Sequence, residues 1–320
     1  MKEEHYGLGF KLFSDEDIEA IHEATLDVMG DLGVRVCGKR AHEYLSAAGC
    51  EVDGKTGMVK FPKNLVNDCI ESAPEEFLMA ARDPAKDAWI RRNKVTYTNF
   101  GTGIMFEDPY TGERRDTTKE DLGLIARVCD AVDEVDQFTI AVTARDVPEA
   151  VKDLHEAEAV FNNTSKHFGH DVGNAEMARY VIRMAELIAG GKEYLRKRPI
   201  LCLGMCPVSP LELHEDGTDI IIEAALAGLP LDILSMAMTG ASSPATIPGT
   251  LVVMNSEFLS GLVLSQLANK GNSVLYGTSS TIMDMRYMTS PVGAPEHAMI
   301  GAAVAQLGQY YKIPVDTGGT

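Results

Sequence analysis

The sequence lacks the features typical of membrane, secreted and nucleic-acid-binding proteins. Its longest apolar stretches, 220–229 and 258–267, are interrupted by polar residues or glycine and are shorter than the roughly 20 residues that span a bilayer. The first residues are acidic and carry no apolar run, so no secretory signal is expected. With 47 acidic and 29 basic residues, the net charge of −18 opposes binding to DNA or RNA. A cytoplasmic protein without membrane or nucleic-acid partners is expected.

Cysteine and glycine-rich phosphate motifs are also scarce. The 6 cysteines are scattered over 320 residues, which is not the pattern of a disulfide framework, and free thiols are expected. Neither a Gly-x-Gly-x-x-Gly nor a Walker A motif is present, and Gly101-Thr102-Gly103 alone is too short for a phosphate loop. An apolar content of 45% with 24% charged residues is that of a packed globular protein. A nucleotide-binding fold is therefore the less favoured class.

Residues 1–92 have the pattern of a mainly helical cap. Ser14 precedes three acidic residues and then apolar residues at helical spacing, which predicts a first helix with Ser14 as its N-cap. A short helix is predicted over 41–48, and Pro62 opens another that ends before Pro74. Short β-like segments lie between these helices. The sequence therefore predicts an N-terminal helical α+β cap over residues 1–92.

Residues 93–320 alternate strands with helices, which indicates a parallel sheet. Seven candidate strands in this range fit a (β/α)8 TIM-type barrel better than a smaller open sheet, although a closed barrel requires eight. The predicted domains are therefore a cap, 1–92, and an incomplete barrel, 93–320. The predicted strands are 95–100, 138–143, 167–172, 200–204, 231–238, 273–277 and 313–315, and the predicted helices are 119–132, 151–161, 175–189, 216–227, 251–267 and 296–311.

Candidate catalytic residues were sought at strand ends, where (β/α)8 barrels carry their active sites. Arg145 and Asp146 follow the second strand, and they could either anchor a substrate or form a structural ion pair and helix cap. His167 and His170 lie in the third strand, where an odd separation places their side chains on opposite faces. A shared metal ion is therefore disfavoured against hydrogen-bonding roles. No metal site is predicted, because Cys202 and Cys206 are also too far apart along a strand.

Further candidates have both a chemical and a structural interpretation. Glu257 lies among apolar neighbours in a helix that starts near the barrel mouth, so it is either a buried functional carboxylate or part of an exposed helix face. Met236 and Met238 share a face of the fifth strand and suit either the barrel core or a methyl-rich substrate. Phe100 and Tyr276 could face a cation or simply pack, and Thr102 follows the first strand.

Several of these segments together resemble the family of trimethylamine:corrinoid methyltransferases and their relatives that demethylate glycine betaine and similar quaternary amines. The resemblance covers essentially the whole chain. It is carried by the segments Phe100-Gly101-Thr102-Gly103, Ala144-Arg145-Asp146, Lys166-His167-Phe168-Gly169-His170, Cys206-Pro207-Val208-Ser209-Pro210-Leu211-Glu212-Leu213, Leu234-Ser235-Met236-Ala237-Met238, Ser242-Ser243-Pro244, Gly249-Thr250-Leu251-Val252 and Ala294-Pro295-Glu296.

The resemblance implies a (β/α)8 barrel that moves a methyl group from trimethylamine to the Co(I) of a corrinoid on a separate partner protein, giving dimethylamine. No cofactor would be bound directly, and a homo-oligomer is expected. The candidates near the site are then Arg145, Asp146, His167, His170 and Glu257 for catalysis, and Phe100, Thr102, Met236, Met238 and Tyr276 for substrate binding. Alternatives are a glycine betaine type methyltransferase without pyrrolysine and a quaternary-ammonium binding module.

The resemblance also implies an unusual residue. In the trimethylamine branch, pyrrolysine follows a Gly-Thr near the end of a late barrel strand, and this chain ends at Gly319-Thr320. Pyrrolysine is therefore expected just after Thr320, and a product that lacks it is expected to be inactive. A barrel with only seven strands is also expected to leave two open edges.

Overall fold

The computed structural model describes residues 5–6, 9–92 and 94–318, and the chain divides into two compact units. Unit 1 consists of Met1–Tyr6 and Phe77–Leu203, and unit 2 consists of Gly7–Glu76 and Gly204–Thr320. Each unit combines helices with strands, which confirms the predicted mixed α/β character of the chain. The domain boundary between residues 92 and 93 remains a prediction from the sequence.

Parallel strands form the centre of unit 1. Gln137–Thr139 pairs in parallel with His167–Asp171, and Leu201–Met205, which begins in unit 1, is the next strand in the sheet. Phe138 and Phe168 are opposite each other in the register and fully buried, because helices cover this face of the strands. The α-helices of unit 1 are Lys119–Ala131, Lys152–Asn163, Ala175–Ala189 and Lys192–Lys197. The predicted alternation of strand and helix is confirmed here.

The predicted first barrel strand, 95–100, is wrong as a regular parallel strand. Only Lys94–Val95 is a strand, and it pairs antiparallel with His5–Tyr6. Beyond it, single parallel bridges join Thr98 to Gln137 and Gly103 to Val142. The side chain of Asn99 interrupts a regular ladder, because it hydrogen-bonds to the backbone N–H and C=O of Thr139. Residues 98–103 therefore lie along the strand that begins at Gln137 without forming a continuous strand.

Short antiparallel strand pairs complete unit 1, and their pairing is not predicted by the sequence. Phe77–Met79 pairs with Ala88–Ile90. Met105–Glu107 pairs with Arg114–Asp116. The 3-10 helices are Pro84–Lys86 and Glu149–Val151. In the second pair, the turn is stabilised by Asp108, whose Oδ1 accepts hydrogen bonds from two backbone N–H groups of the loop.

Unit 2 contains a second parallel group and a separate mixed sheet. Leu231–Ser235 pairs in parallel with Val274–Thr278, which pairs in parallel with Val315–Thr317. The mixed sheet has the order Glu212–Leu213, Val34–Val36, Met58–Lys60 and Glu51–Val52. The helices of unit 2 are Asp15–Asp27, the π-helix Val28–Leu32, Lys39–Ala47, Lys63–Ser72, Glu215–Ala227, Ile247–Ala268 and Pro295–Tyr311. Within the described part of the chain, six of the seven predicted barrel strands therefore form.

Helix Ile247–Ala268 is the central helix of unit 2. Thr246 caps its first turn by accepting a hydrogen bond from the N–H of Gly249, and most of its residues are buried. Its 22 residues are long and apolar enough to cross a membrane, although the sequence predicts no membrane-spanning segment. However, 72% of the apolar window is buried inside the protein, as in the core helix of a globular domain.

Two of the helix starts predicted in residues 1–92 are confirmed, whereas the short helix predicted over 41–48 is observed as Lys39–Ala47. Ser14 is the N-cap of Asp15–Asp27, and its hydroxyl oxygen accepts a hydrogen bond from the N–H of Asp17. The Asp17 carboxylate in turn accepts from the N–H of Ser14, which completes a capping box. Pro62 precedes helix Lys63–Ser72, in agreement with the predicted opening of that helix.

Candidate functional site

In unit 1, two carboxylates of helix Lys152–Asn163 hold the segments that follow two parallel strands. Glu156 Oε1 accepts hydrogen bonds from Thr143 Oγ1 at 2.9 Å and from the N–H of Ala144 at 2.8 Å. Asp153 Oδ2 accepts from the N–H of Gly173 at 2.7 Å. Both carboxylates are buried, so these bonds are protected from competition with water. The ends of the two strands are therefore held in fixed positions.

His170 faces this helix. Its Nε2 is 3.1 Å from the carbonyl oxygen of Asp153, and its ring stacks on Phe168, which makes an edge contact with Phe161. Since side chains alternate along a strand, residues 168 and 170 share the face covered by the helix. His170 is buried on that face, so its placement is that of a packing and hydrogen-bonding residue.

His167 lies at the other end of the same strand. It is the first residue of His167–Asp171, and its Nδ1 is 3.1 Å from the carbonyl oxygen of Ala80 and 3.0 Å from that of Pro199. Complete burial lowers the pKa of the imidazole to about 4, so the ring is neutral at pH 7. Parallel strands place active sites at their carboxyl ends, so His167 is at the wrong end for catalysis.

The last residue of the strand, Asp171, was not among the predicted site residues. Its side chain is accessible to solvent, and it lies on the face opposite Phe168 and His170. Surrounding protein raises the pKa of its carboxyl group through desolvation, and only the neighbouring His170 opposes this shift. Among the described residues, none forms a hydrogen bond or an ion pair with this carboxylate. An acid in the last position of a barrel strand is the signal that could have identified it.

Arg145 and Asp146 make structural contacts. Arg145 Nη1 forms an ion pair with Asp116 Oδ1 at 2.9 Å, and both side chains are exposed. Asp146 Oδ1 accepts a hydrogen bond from the N–H of Lys119, the first residue of helix Lys119–Ala131. A carboxylate at a helix N-terminus is stabilised by the unpaired N–H groups there. These contacts therefore support the structural interpretation of Arg145 and Asp146, as an ion-pair residue and a helix-capping residue, over the interpretation as substrate anchors.

Phe100 and Thr102 lie beside the strand that begins at Gln137. Phe100 is 68% exposed, and Thr102 Oγ1 is 3.3 Å from the carbonyl oxygen of Ile140. A Cβ on the intervening Gly101 would lie 1.9 Å from the same carbonyl oxygen, so only glycine permits this close approach. Phe100 is therefore presented to solvent by a closely packed segment.

In unit 2, Glu257 joins three segments. Its Oε2 accepts hydrogen bonds from Ser235 Oγ and, at 3.0 Å, from Ser209 Oγ, while Oε1 accepts from the N–H of Leu211 at 2.9 Å. Glu257 is fully buried, which excludes the exposed-face interpretation. Burial raises the pKa of the carboxyl group, and the three hydrogen bonds oppose that shift. The residue positions the loop that precedes Glu212–Leu213 against the end of strand Leu231–Ser235.

The remaining candidates in unit 2 divide by exposure. Met236 follows the last residue of strand Leu231–Ser235 and is 47% exposed, whereas Met238 is half-buried and its N–H donates to Ser242 Oγ. Tyr276 is completely buried, and its ring is stacked on Phe258 with centroids 4.0 Å apart. Its predicted role in substrate binding does not fit this placement, since no face of the ring is accessible.

His297 anchors another strand end in unit 2 and was also not predicted. Its Nδ1 is 3.0 Å from the carbonyl oxygen of Ser280, and its Nε2 is 3.2 Å from that of Gly318. The ring thereby ties the segment after strand Val315–Thr317 to the segment after strand Val274–Thr278.

Comparison with known proteins identifies the family. The sequence pattern of the trimethylamine methyltransferase (MTTB) family matches residues 6–320. The chain belongs to the trimethylamine methyltransferase family. It is 46% identical over 308 residues to trimethylamine methyltransferase MttB of Desulfitobacterium hafniense, covering 96% of this chain and 62% of the relative. It is 39% identical to MttB of Methanosarcina barkeri strain Fusaro, covering 98% of this chain and 64% of the relative.

A more distant relative and a solved structure are also similar. The glycine betaine methyltransferase of Desulfitobacterium hafniense strain Y51 is 30% identical over 313 residues, which are 97% of this chain and 64% of the relative. The crystal structure of the Methanosarcina barkeri monomethylamine methyltransferase (MtmB) superposes with a TM-score of 0.53 at 12% identity, covering 94% of this chain and 67% of that one. This family member therefore shares its fold with MtmB. The chain spans less than two thirds of the length of the curated relatives named here.

In this member of the trimethylamine methyltransferase family, helix-borne side chains hold strand ends in both units. They include Glu156 and Asp153 in unit 1, and Glu257 and His297 in unit 2. In the part of the chain that the structure describes, no group of three or more His, Cys, Asp or Glu side chains is placed to hold a metal ion. Phe100, Asp171 and Met236 are among the residues with accessible side chains at or near the segments that end the parallel strands.

Proposed function

We propose that this protein transfers a methyl group from trimethylamine to the Co(I) of a corrinoid carried by a partner protein, with dimethylamine as the second product. The observation that carries this proposal is the 46% identity to a trimethylamine methyltransferase over 96% of the chain. The shared fold with a monomethylamine methyltransferase supports it at the level of architecture. We also propose a cytoplasmic homo-oligomer and, as the sequence predicts, an incomplete barrel of the (β/α)8 type, since parallel strands alternate with helices in each unit.

The task of the protein is positioning. A Co(I) corrinoid would supply the nucleophile, and a methyl group must then face it in line with the bond to nitrogen. Held geometry of this kind contributes several kcal/mol to a displacement. In unit 1, Phe100 is the exposed apolar candidate for contact with the methyl groups, with Thr102 beside it in the sequence. Met236, with Met238 beside it, is the corresponding candidate of unit 2 considered by itself. Glu257 and Glu156 would act indirectly by fixing the loops.

Pyrrolysine remains part of the proposal. The resemblance places it after a Gly-Thr, as in Gly319-Thr320, and those two residues lie outside the described part of the chain. Its imine would supply an electrophile that the 20 ordinary side chains lack. His297 contacts Gly318, immediately before this dipeptide, so the segment leading to it is held in place by a hydrogen bond.

The proposal is tested by reconstitution. Full-length protein is mixed with its reduced corrinoid partner and trimethylamine, and the cobalt absorbance is followed. We expect conversion of the Co(I) spectrum into that of methyl-cobalt, and no conversion when either protein is omitted. If trimethylamine, dimethylamine and monomethylamine all leave the Co(I) spectrum unchanged, the proposed function is wrong.

A betaine substrate is the second candidate, because a glycine betaine methyltransferase is 30% identical over nearly the whole chain. The lower identity makes it the less favoured function. Replacing trimethylamine by glycine betaine in the same assay distinguishes the two, since each predicts turnover of only one substrate. Tight betaine binding without any methyl transfer would instead indicate a binding module.

A further inference from the structure

Asp171 has no structural role among the described residues. The other acids of its surroundings are engaged: Asp153 binds the N–H of Gly173, and Glu156 binds the N–H of Ala144. Asp171 has neither a hydrogen bond nor an ion pair with any described residue, although desolvation by the surrounding protein raises the pKa of its carboxyl group. An accessible carboxylate at the end of a strand that no described protein group engages is available to a cation from solution.

The face of the sheet in front of Asp171 is lined by small residues. Thr139 is opposite Gly169 in the register, and continuing that register places Ala141 opposite Asp171. Gly101 approaches this strand so closely that a Cβ would lie 1.9 Å from the carbonyl oxygen of Ile140. The small side chains of Thr139, Gly169 and Ala141 are compatible with a ligand about the size of a methylated ammonium group in front of these strands.

An aromatic side chain borders the same surface. Residues 98–103 lie beside the strand that begins at Gln137, and that strand lies beside His167–Asp171. Since neighbouring strands are about 4.8 Å apart, Phe100 and Asp171 lie on segments roughly 10 Å apart. Phe100 is 68% exposed, so its ring is free to contact a ligand. A carboxylate combined with an aromatic face suits a methylated ammonium ion.

We propose that Asp171 is the counter-ion for the ammonium group of the substrate and selects cationic methylamines over zwitterionic betaines. This inference rests on the proposed function and deepens it. The ammonium charge is attracted to the Asp171 carboxylate, whereas the carboxylate of a betaine brings a second negative charge to the same place and is repelled. The Asp171 carboxylate therefore selects the substrate in two ways, by attracting the ammonium group and by repelling the carboxylate of a betaine.

The test compares Asp171→Asn with Glu134→Gln in the full-length protein. Both substitutions remove one negative charge at nearly constant volume, and Glu134 is an exposed acid in the same unit that lies in no proposed contact. Calorimetry measures the dissociation constants of trimethylammonium, tetramethylammonium and glycine betaine. We expect D171N to weaken binding of both simple cations at least tenfold and to leave betaine binding unchanged or tighter, whereas E134Q stays within twofold of the wild type.

Asp171→Glu keeps the charge and is expected to restore most of the cation affinity, which separates charge recognition from a folding defect. Unchanged cation binding in D171N, or no trimethylammonium binding by the wild type, overturns the inference. Loss of betaine affinity parallel to that of the cations in D171N also overturns it. If D171N transfers methyl groups normally, the inference fails and the proposed function stands. If binding depends on Asp171 but no methyl transfer occurs, the proposed function fails and the inference stands.

Discussion

Replacing Glu257 by alanine should destabilise the loop that it holds far more than replacing its neighbour Ser256. Glu257 accepts hydrogen bonds from Ser235 Oγ, Ser209 Oγ and the N–H of Leu211, all in unit 2. A buried donor that loses its partner costs about 1–3 kcal/mol. The two hydroxyl groups can rotate toward other acceptors, but the Leu211 N–H cannot. The unpaired Leu211 N–H and the cavity left by truncating a fully buried side chain together should cost roughly 3–5 kcal/mol in E257A.

The control is matched in position and burial. Ser256 is fully buried in the same helix, but its hydroxyl only donates to the carbonyl oxygen of Val252 at 2.8 Å. S256A should cost about 1 kcal/mol or less, because that carbonyl already accepts a helical hydrogen bond. Urea unfolding measures the loss of stability, and hydrogen–deuterium exchange of the Leu211 amide measures the local effect. A local loss of about 3 kcal/mol speeds exchange more than a hundredfold.

The pH dependence of Glu257→Gln provides an independent check. Burial raises the pKa of Glu257, so the folded protein retains a proton that the unfolded chain has released above its ordinary pKa. The contribution of this group to stability is therefore present at low pH and is lost as the pH rises past 4.5. E257Q should lack this decline. Equal stability losses of E257A and S256A in urea, together with unchanged exchange of the Leu211 amide, would show that Glu257 does not hold this loop.

Three further predictions concern unit 1. Burial lowers the pKa of His167 to about 4, so the stability of the wild-type protein should fall by about 3 kcal/mol as the pH decreases from 6.5 to 4. The H167N variant should lose most of this pH dependence. Urea unfolding that shows the same pH dependence in both proteins would contradict this. Arg115 lowers the pKa of Asp121 to about 2, so D121N should lower the free energy of unfolding by about 1–2 kcal/mol at pH 7. This stability difference from the wild type should vanish as the pH falls from 3.8 to 2. A stability difference that does not change with pH would show that the ion pair is not its cause. Arg145→Ala removes only an exposed ion pair with Asp116, so the melting temperature should hardly change. If kcat/KM nevertheless falls strongly, Arg145 takes part in substrate binding.

The helices were predictable because their sequence signals are local. Ser14, Asn174 and Thr246 each cap a helix with their own side chain, and apolar spacing determines which face is buried. The predicted helix 175–189 has the observed bounds, Ala175–Ala189, and the predicted 119–132 differs from Lys119–Ala131 by one residue.

The first barrel strand could not be predicted correctly, because residues distant in the sequence determine whether this segment forms a strand and with which strand it pairs. The run 95–100 is apolar or β-branched enough for a strand, but Lys94–Val95 pairs with His5–Tyr6, and Asn99 binds the backbone of Thr139. Neither contact leaves a signal in the local sequence. Tertiary pairing therefore overrides β-propensity in this segment.

The site was predicted less well than the fold, because residue type does not determine which way a side chain points. His167 and His170 are polar strand residues, yet one lies at the amino end and the other faces a helix. Tyr276 likewise lies flat on Phe258. Asp171 is the accessible residue at the end of this strand. Because side chains alternate along a strand, counting from the buried Phe168 places Asp171 on the opposite face. The sequence did not show, however, that the strand ends at that residue.

Methyl transfer from trimethylamine fixes the ratio of the two products, which can be measured. Full-length protein, reduced corrinoid partner and trimethylamine labelled with carbon-13 in its methyl groups are followed by NMR. We expect one dimethylamine for each methyl-cobalt formed, and no labelled methyl-cobalt when labelled glycine betaine replaces trimethylamine. Labelled methyl-cobalt from betaine alone, or no dimethylamine in the presence of an active Co(I) partner, would contradict it.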